Sequence, residues 1–258
     1  MYSTTSAGPD REPPPDRSAI GPDSRGLWLM GNDVDLARRL AGTGFDWLAL
    51  DAQHGAIDRS ALVDLGRALG DVGANYVVRV PGVDHAWIGA SLDAGAAGVV
   101  VPSIASVEDA REAVRATYYP PLGERSWGPL TPMWDGYAPD AERANARVQC
   151  AVMIETVGAL DAVEEIAALE GVNLLFLGPV DLSLSLGMSP DDLLADTTPS
   201  GPVGRILAAA RGHGVEVAAF AGDPSRVPAL RALGIDRIAV ATDIALVALG
   251  ARQVLDLT

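Results

Sequence analysis

The chain has 258 residues, a hydrophobic share of 48% and a single cysteine, Cys150. That is enough apolar material for a full-sized core, and it excludes a small scaffold held together by disulfides or by an all-cysteine zinc site. With 34 acidic against 19 basic residues, the formal net charge of −15 speaks against nucleic acid or an anionic membrane as the main partner. All 19 basic residues are arginine. Without lysine, no side chain can form a Schiff base with a carbonyl substrate or with pyridoxal phosphate, and a Walker-type phosphate loop is ruled out.

Residues 1–25 are rich in Pro, Ser, Asp and Arg and have no apolar core, so they read as a flexible arm rather than a signal peptide. From Gly26 to the end, 26–258 read as one domain. Short apolar runs predict buried strands at 26–30, 47–51, 76–80, 98–102, 149–155, 173–178, 216–221 and 237–241. Uninterrupted apolar runs suit a parallel sheet covered on both faces. Helical patterns lie between them, at 33–41, 59–69, 84–94, 106–116, 160–169, 203–211, 224–233 and 243–255. Capping residues open several of these, among them Asp33, Asp84, Ser106 and Asp243. Eight strands alternating with eight helices over this length predict a closed (β/α)8 (TIM) barrel of the α/β class. An open doubly wound sheet fits less well, because no G-x-G-x-x-G follows the first strand. One connection, at about 117–148, is long and holds five prolines, three tyrosines and two tryptophans. Its length and aromatic content predict an active-site or subunit-contact insert at the C-terminal face. No run is apolar and long enough to span a membrane, and a cytoplasmic location is expected.

Barrel chemistry sits at the C-terminal ends of the strands. There the second strand ends in Asp51, followed by His54, the third carries Arg79, the fifth ends in Glu155 and the sixth runs into Gly178-Pro179-Val180-Asp181. Paired carboxylates on neighbouring strands suit a hard divalent cation that keeps some of its waters, although a rim carboxylate can also be merely solvated. Arg79 follows an apolar pair and needs an anionic partner, either in a structural ion pair or in a substrate. Asp51 three residues before His54 could orient that imidazole as a base. His85 and His213 read as surface residues, and Cys150 as a small buried hydrophobe.

At these residues the chain resembles the HpcH/HpaI aldolases, metal-dependent (class II) pyruvate aldolases. The likeness spreads over most of 26–250. It includes Gly44-Phe45-Asp46-Trp47 leading to Asp51-x-x-His54, and Val78-Arg79-Val80-Pro81. Leu92-Asp93-Ala94-Gly95-Ala96 and Tyr119-Pro120-Pro121-x-Gly123-x-Arg125 follow. Ile154-Glu155-Thr156 and Phe176-Leu177-Gly178-Pro179-x-Asp181-Leu182-Ser183 complete it. The resemblance implies a carbon–carbon lyase acting on a 2-oxo acid through a pyruvate-type enolate, with an aldehyde or second carbonyl compound as partner. It implies Mg2+ or Mn2+, with Co2+ a further candidate, on Glu155 and Asp181. It also implies a base dyad of His54 and Asp51, enolate stabilisation by Arg79, and backbone N–H groups around Val180 and Asp181 for the substrate carboxylate. A homo-oligomer, hexamer or dimer, goes with the family, and Asp93 matches a position near the neighbouring subunit. Three departures alter the substrate shell. Gln53 stands where the family usually has Glu, Met153 where it often has Gln, and Trp127 interrupts a pattern that usually reads Arg-Gly-x-Gly. Met153 and Trp127 therefore enter as candidate substrate contacts, with Trp134 and Tyr137 beside Trp127 in the aromatic insert. Two other readings share the same residues: an enolate-forming decarboxylase for an oxaloacetate-like acid, and a family member that binds a ligand without turnover.

Overall fold

A computed structural model describes residues 20–133 and 140–257. Eight parallel strands close into a barrel in chain order, each hydrogen-bonded to the next and β8 to β1. The first half comprises β1 (Arg25–Leu29), α1 (Val34–Ala41), β2 (Trp47–Asp51), α2 (Arg59–Asp71), β3 (Tyr76–Arg79), α3 (His85–Asp93), β4 (Gly98–Val101) and α4 (Val107–Thr117). A long connection carrying α5 (Ala141–Arg147) leads to β5 (Gln149–Ile154), α6 (Val157–Asp161), α7 (Val163–Ala167) and β6 (Leu174–Leu177). The chain continues through α8 (Pro179–Ser185), α9 (Pro190–Ala195), α10 (Pro202–His213), β7 (Glu216–Phe220), α11 (Val227–Ala232), β8 (Arg237–Thr242) and α12 (Asp243–Leu255).

Because strand side chains alternate, each strand feeds two cores. One set, such as Leu48, Leu50, Val78 and Val152, packs outward under the helices. The other, with Trp28, Trp47, Ala49, Val77, Met153 and Phe176, fills the barrel interior. Parity then carries the inward set to the rim: Asp51 is two residues beyond Ala49, Arg79 two beyond Val77 and Glu155 two beyond Met153. The inward position of these charged groups is thus a consequence of strand register. Asp51 and Arg79 also face each other across the β2–β3 ladder.

Caps end the helices largely as the sequence suggests. Asp33, Asp84 and Ser106 accept first-turn N–H groups of α1, α3 and α4. Asp243 does otherwise. Thr242 caps α12, and the Asp243 carboxylate instead receives the Met30 and Gly31 N–H groups at 3.1 and 3.0 Å, tying the end of β1 to the end of β8. The helix expected at 160–169 is broken into α6 and α7, and two short helices, α8 and α9, fill a stretch where none was expected. Among the described residues no helix is long and apolar enough to cross a membrane.

Two expectations about organisation are corrected. The arm drawn at 1–25 runs too far: Ile20 is buried in the barrel interior cluster, and its N–H donates to Gln149 Oε1 at 3.1 Å. Ser24 is buried too, its hydroxyl receiving the Trp47 indole N–H at 3.1 Å, so 20–24 close the floor of the barrel. The described parts of the insert, up to Met133 and from Asp140, lie at the opposite end from the one expected. They leave the C-terminus of α4 and enter the N-terminus of β5, both of which belong to the N-terminal face. Their contacts agree: Arg125 pairs with Asp93 at the end of α3 (2.7 Å), and Leu130 N–H donates to Asp93 O (2.9 Å).

Candidate active site

The C-terminal rim holds a cavity of about 270 Å³ lined by Gln53, His54, Ser103, Glu155, Thr156, Asp181, Leu184 and Ser185. Three of the residues expected at the site, His54, Glu155 and Asp181, therefore line one cavity.

Glu155 is buried, and its Oε1 accepts the Ser103 N–H at 2.6 Å. Ser103 reaches this position with φ +58°, left-handed backbone that a non-glycine residue adopts at a cost of about 1–3 kcal/mol. Burial, reinforced by the charge of Asp181, pushes the Glu155 carboxyl above the ordinary range and outweighs the Ser103 N–H, Arg79 and His54, which pull it down. Gly178 leaves the room in which this carboxylate sits. A Cβ there would stand 2.8 Å from Glu155 Oε2 and 3.0 Å from Met153 Cε. Asp181 is exposed in the first turn of α8. That helix has Gly178 as its N-cap, Pro179 in its first turn and no side chain capping it. The N–H groups of Val180 and Asp181 are thus left open for an anion.

The donor set suits a hard divalent cation. Two carboxylates converge on one cavity, Glu155 Oε2 has no hydrogen-bond partner among the described residues, and the second negative charge raises the Glu155 pKa. Among the described residues no cluster of three or more His, Cys, Asp or Glu forms. Only two coordination positions would come from the protein, and substrate oxygens and water would fill the rest.

Asp51 is wholly buried, and its carboxylate accepts five hydrogen bonds. Arg79 Nε (3.1 Å), Gln53 N–H (3.0 Å) and His54 N–H (3.1 Å) reach Oδ1. Arg79 Nη2 (2.6 Å) and Trp28 Nε1 (3.1 Å) reach Oδ2. Burial alone would raise the Asp51 pKa, but the hydrogen bonds and charge of Arg79, with the His54 and Trp28 donors, hold it below the ordinary range. The expected Asp51–His54 dyad is corrected at this point. A carboxylate three residues ahead in a tight turn gathers the backbone N–H groups, and Asp51 holds the His54 main chain while its charge goes to Arg79. The imidazole is exposed on the cavity wall, with no hydrogen bond to Asp51.

Two candidate substrate contacts lie elsewhere. Met153 is buried in the barrel interior, with its methyl beside Gly178 rather than on the cavity wall. Trp127 is on the N-terminal face, 53% exposed, its ring 5.1 Å from that of Tyr119, so it cannot line the cavity of its own barrel. Trp134 and Tyr137 fall outside the described residues. His85 and His213 pair with Glu112 (2.6 Å) and Glu164 (2.9 Å) on the surface, and Cys150 is buried. Trp28, Ser103, Thr156 and Ser185 carry no expected site role in the sequence, yet they stand at or beside the site. Ser103 and Thr156 follow directly from the strand-end rule, since they stand just past β4 and β5, whereas Ser185 closes the helix that follows β6.

Fold and rim together define a (β/α)8 protein whose C-terminal end presents paired carboxylates, an anchored arginine and a free histidine. A sequence profile of the HpcH/HpaI aldolase/citrate lyase family matches residues 24–249, and the chain belongs to that family. It is 38% identical to a 4-hydroxy-2-oxovalerate aldolase of Novosphingobium aromaticivorans over 76% of each chain. It is 34% identical to a 2-dehydro-3,6-dideoxy-6-sulfogluconate aldolase of Pseudomonas putida, over 89% of this chain and 90% of that one. Among solved structures, an HpcH/HpaI aldolase/citrate lyase family protein of Burkholderia cenocepacia J2315 superposes with a TM-score of 0.82 at 33% identity, covering 93% of this chain and 95% of that one.

Proposed function

We propose that the protein is a class II pyruvate-type aldolase, making or cleaving the carbon–carbon bond beside a 2-oxo acid through an enolate. The observation that carries the reading is the convergence of Glu155, Asp181 and His54 on one cavity at the strand ends. In this reading Glu155 and Asp181 hold Mg2+ or Mn2+. Bound there, such an ion would polarise the keto group of a 2-oxo acid and supply the electron sink that an iminium would otherwise provide. No lysine exists to form that iminium.

The chain's own residues do the rest. The Val180 and Asp181 N–H groups bind the substrate carboxylate at the open end of α8. The Arg79 fork binds Asp51 through Nε and Nη2, which leaves Nη1 to stabilise negative charge on the enolate oxygen. The His54 imidazole takes the proton from the hydroxyl of the bond to be cleaved and returns one to the enolate carbon. Leu184, on the wall and largely exposed, gives the acceptor side an apolar surface. Assembly into a homo-oligomer is part of the reading: the outer face of α12 presents Ile244, Val247, Val254 and Leu255 to solvent, more apolar surface than an isolated helix normally exposes.

The direct test is loss of the pyruvate methyl proton signal in D2O. Exchange that requires Mn2+ or Mg2+ and stops in excess EDTA is the expected result. Exchange at full rate in EDTA, or none with either metal, would overturn the reading.

A further inference from the structure

Trp28, an inward residue of β1, is packed as core and yet makes two polar contacts. Its indole N–H donates to Asp51 Oδ2 at 3.1 Å, the same oxygen that receives Arg79 Nη2 at 2.6 Å. Its ring lies beside the guanidinium, with Arg79 Cζ 5.1 Å from the ring centroid. The indole is itself immobilised. It is 1% exposed and packs on Phe176 (centroids 5.6 Å) and on Phe220 (5.0 Å), which reach it from β6 and β7.

We infer that Trp28 is a positioning residue for Arg79. It fixes the plane of the Asp51 carboxylate and supports the guanidinium face, so that Nη1 is held in one place when negative charge develops. The reason lies in the side chain. Arginine has four rotatable bonds and a costly set of alternative rotamers. A lone carboxylate can swivel about its own Cβ–Cγ bond and carry the bidentate pair with it. Asp51 Oδ1 is pinned by the Gln53 and His54 N–H groups, and Trp28 pins Oδ2, so the carboxylate is held at both oxygens. The cation–π contact adds a surface against which the fork cannot tilt. Trp28 needs no contact with substrate to play this part. It acts through Asp51 and Arg79, and because the fork stabilises charge only as the enolate forms, its removal is felt in kcat more than in KM.

The catalytic part of this inference rests on the proposed enolate chemistry; the anchoring part does not, and the test separates them. Two variants are compared with wild type. Trp28→Phe removes the N–H and part of the ring. Site-specific benzothienylalanine at position 28 replaces only the N–H by sulfur and keeps the shape, so it reports even if the phenylalanine variant folds poorly. The first readout needs no activity: solvent exchange of the Arg79 Nε–H followed by 15N NMR. Exchange about tenfold faster or more is expected in both variants, in line with a lost hydrogen bond to a charged group. The second readout is Mn2+-dependent proton exchange of pyruvate. The kcat should fall about tenfold with KM changing less than about threefold, and the loss should vanish when the same change is made in Arg79→Lys. Unchanged Nε–H exchange in the benzothienylalanine variant would overturn the anchor. An undiminished kcat loss in the Arg79→Lys background would overturn the route through Arg79. If wild type itself exchanges no pyruvate protons with metal present, the aldolase reading fails, and the Nε–H measurement still decides whether Trp28 anchors the guanidinium.

Discussion

Both ends of the barrel bury an arginine, and the two are built differently. At the N-terminal end Arg237 opens β8 and bridges Glu216 (2.9 Å) and Asp236 (2.7 Å), carboxylates that are themselves 54% and 43% exposed. At the C-terminal end Arg79 closes β3 on Asp51, which has no exposure at all, and the indole of Trp28 supports the pair. The surroundings differ in the same way. On the floor, several polar groups are consumed: Trp47 by Ser24, Ile20 N–H by Gln149, and the Tyr118 hydroxyl by Gly171 O and Asn173, although Arg237 Nε and Arg125 Nε are buried with no hydrogen-bond partner among the described residues. On the rim, Glu155 Oε2, the His54 imidazole and the first N–H groups of α8 keep bonding capacity to spare. Burial of an arginine therefore marks neither structure nor function. The end of the strand on which it stands, and the cavity beside it that open donors and acceptors share, separate the two.

Removing the rim carboxylates should give the largest effect. Glu155→Ala and Asp181→Ala should each abolish Mn2+ binding in a calorimeter and reduce pyruvate proton exchange to background, while circular dichroism stays native. Glu155→Gln sharpens the point. A carboxyl whose folded pKa is raised above its unfolded value favours the fold only while protonated, and costs stability once pH exceeds the folded pKa. The neutral amide should therefore raise the Tm of the metal-free protein at pH 7 while still killing activity. A lower Tm would mean that the carboxylate is structural.

Next come the two arginines and the histidine. His54→Ala should slow proton exchange by about 10²–10⁴, the range of a positioned base. Arg79→Lys should be similarly damaging, because an ammonium cannot reproduce the planar fork. Arg237→Met, at the other end, should lower stability by about 1–2 kcal/mol, between the figures for exposed and buried pairs, since its half-exposed partners regain water. Its kcat should not move. If urea melts and turnover respond alike to Arg79→Lys and Arg237→Met, the contrast between the ends collapses.

The smallest effect concerns Met153. Its methyl lies beside Gly178, the residue that opens α8, so an amide at this position would stand close to the N–H groups proposed to hold the substrate carboxylate. Met153→Gln should tighten pyruvate binding roughly twofold to tenfold, the worth of one neutral hydrogen bond. Unchanged affinity by titration with saturating Mn2+ would make Met153 pure packing.

The strands could be read from the sequence almost to the residue, because a barrel wall buried on both sides demands uninterrupted apolar runs and strand parity dictates what each run carries to the rim. Asp51, Arg79 and Glu155 were legible for that reason. Other features depend on information that does not lie along the chain. The insert was assigned to the wrong face because its length and aromatics were weighed, whereas its place between a helix end and a strand start decides the matter. The α8 helix was missed because Gly178 offers no capping side chain, the usual signal. Asp51 and His54 looked like partners because they are three residues apart, but the turn that joins them brings backbone, not imidazole, to the carboxylate. Trp28 looked like core, and only the contact of its indole edge with Asp51 reveals otherwise.

Cys150 offers a different kind of access to this molecule. It is the sole thiol of the chain, lies in β5 with no exposure, and is pushed by burial to a pKa of about 11. A thiol reagent at neutral pH meets neither an accessible sulfur nor a thiolate until the barrel opens. The rate of labelling then acts as a stopwatch for global breathing, with one event per molecule and no competing site. Any ligand that favours the closed barrel should lengthen the interval by its own binding free energy, so the floor-to-rim architecture comes with a built-in, single-channel assay of what the rim binds.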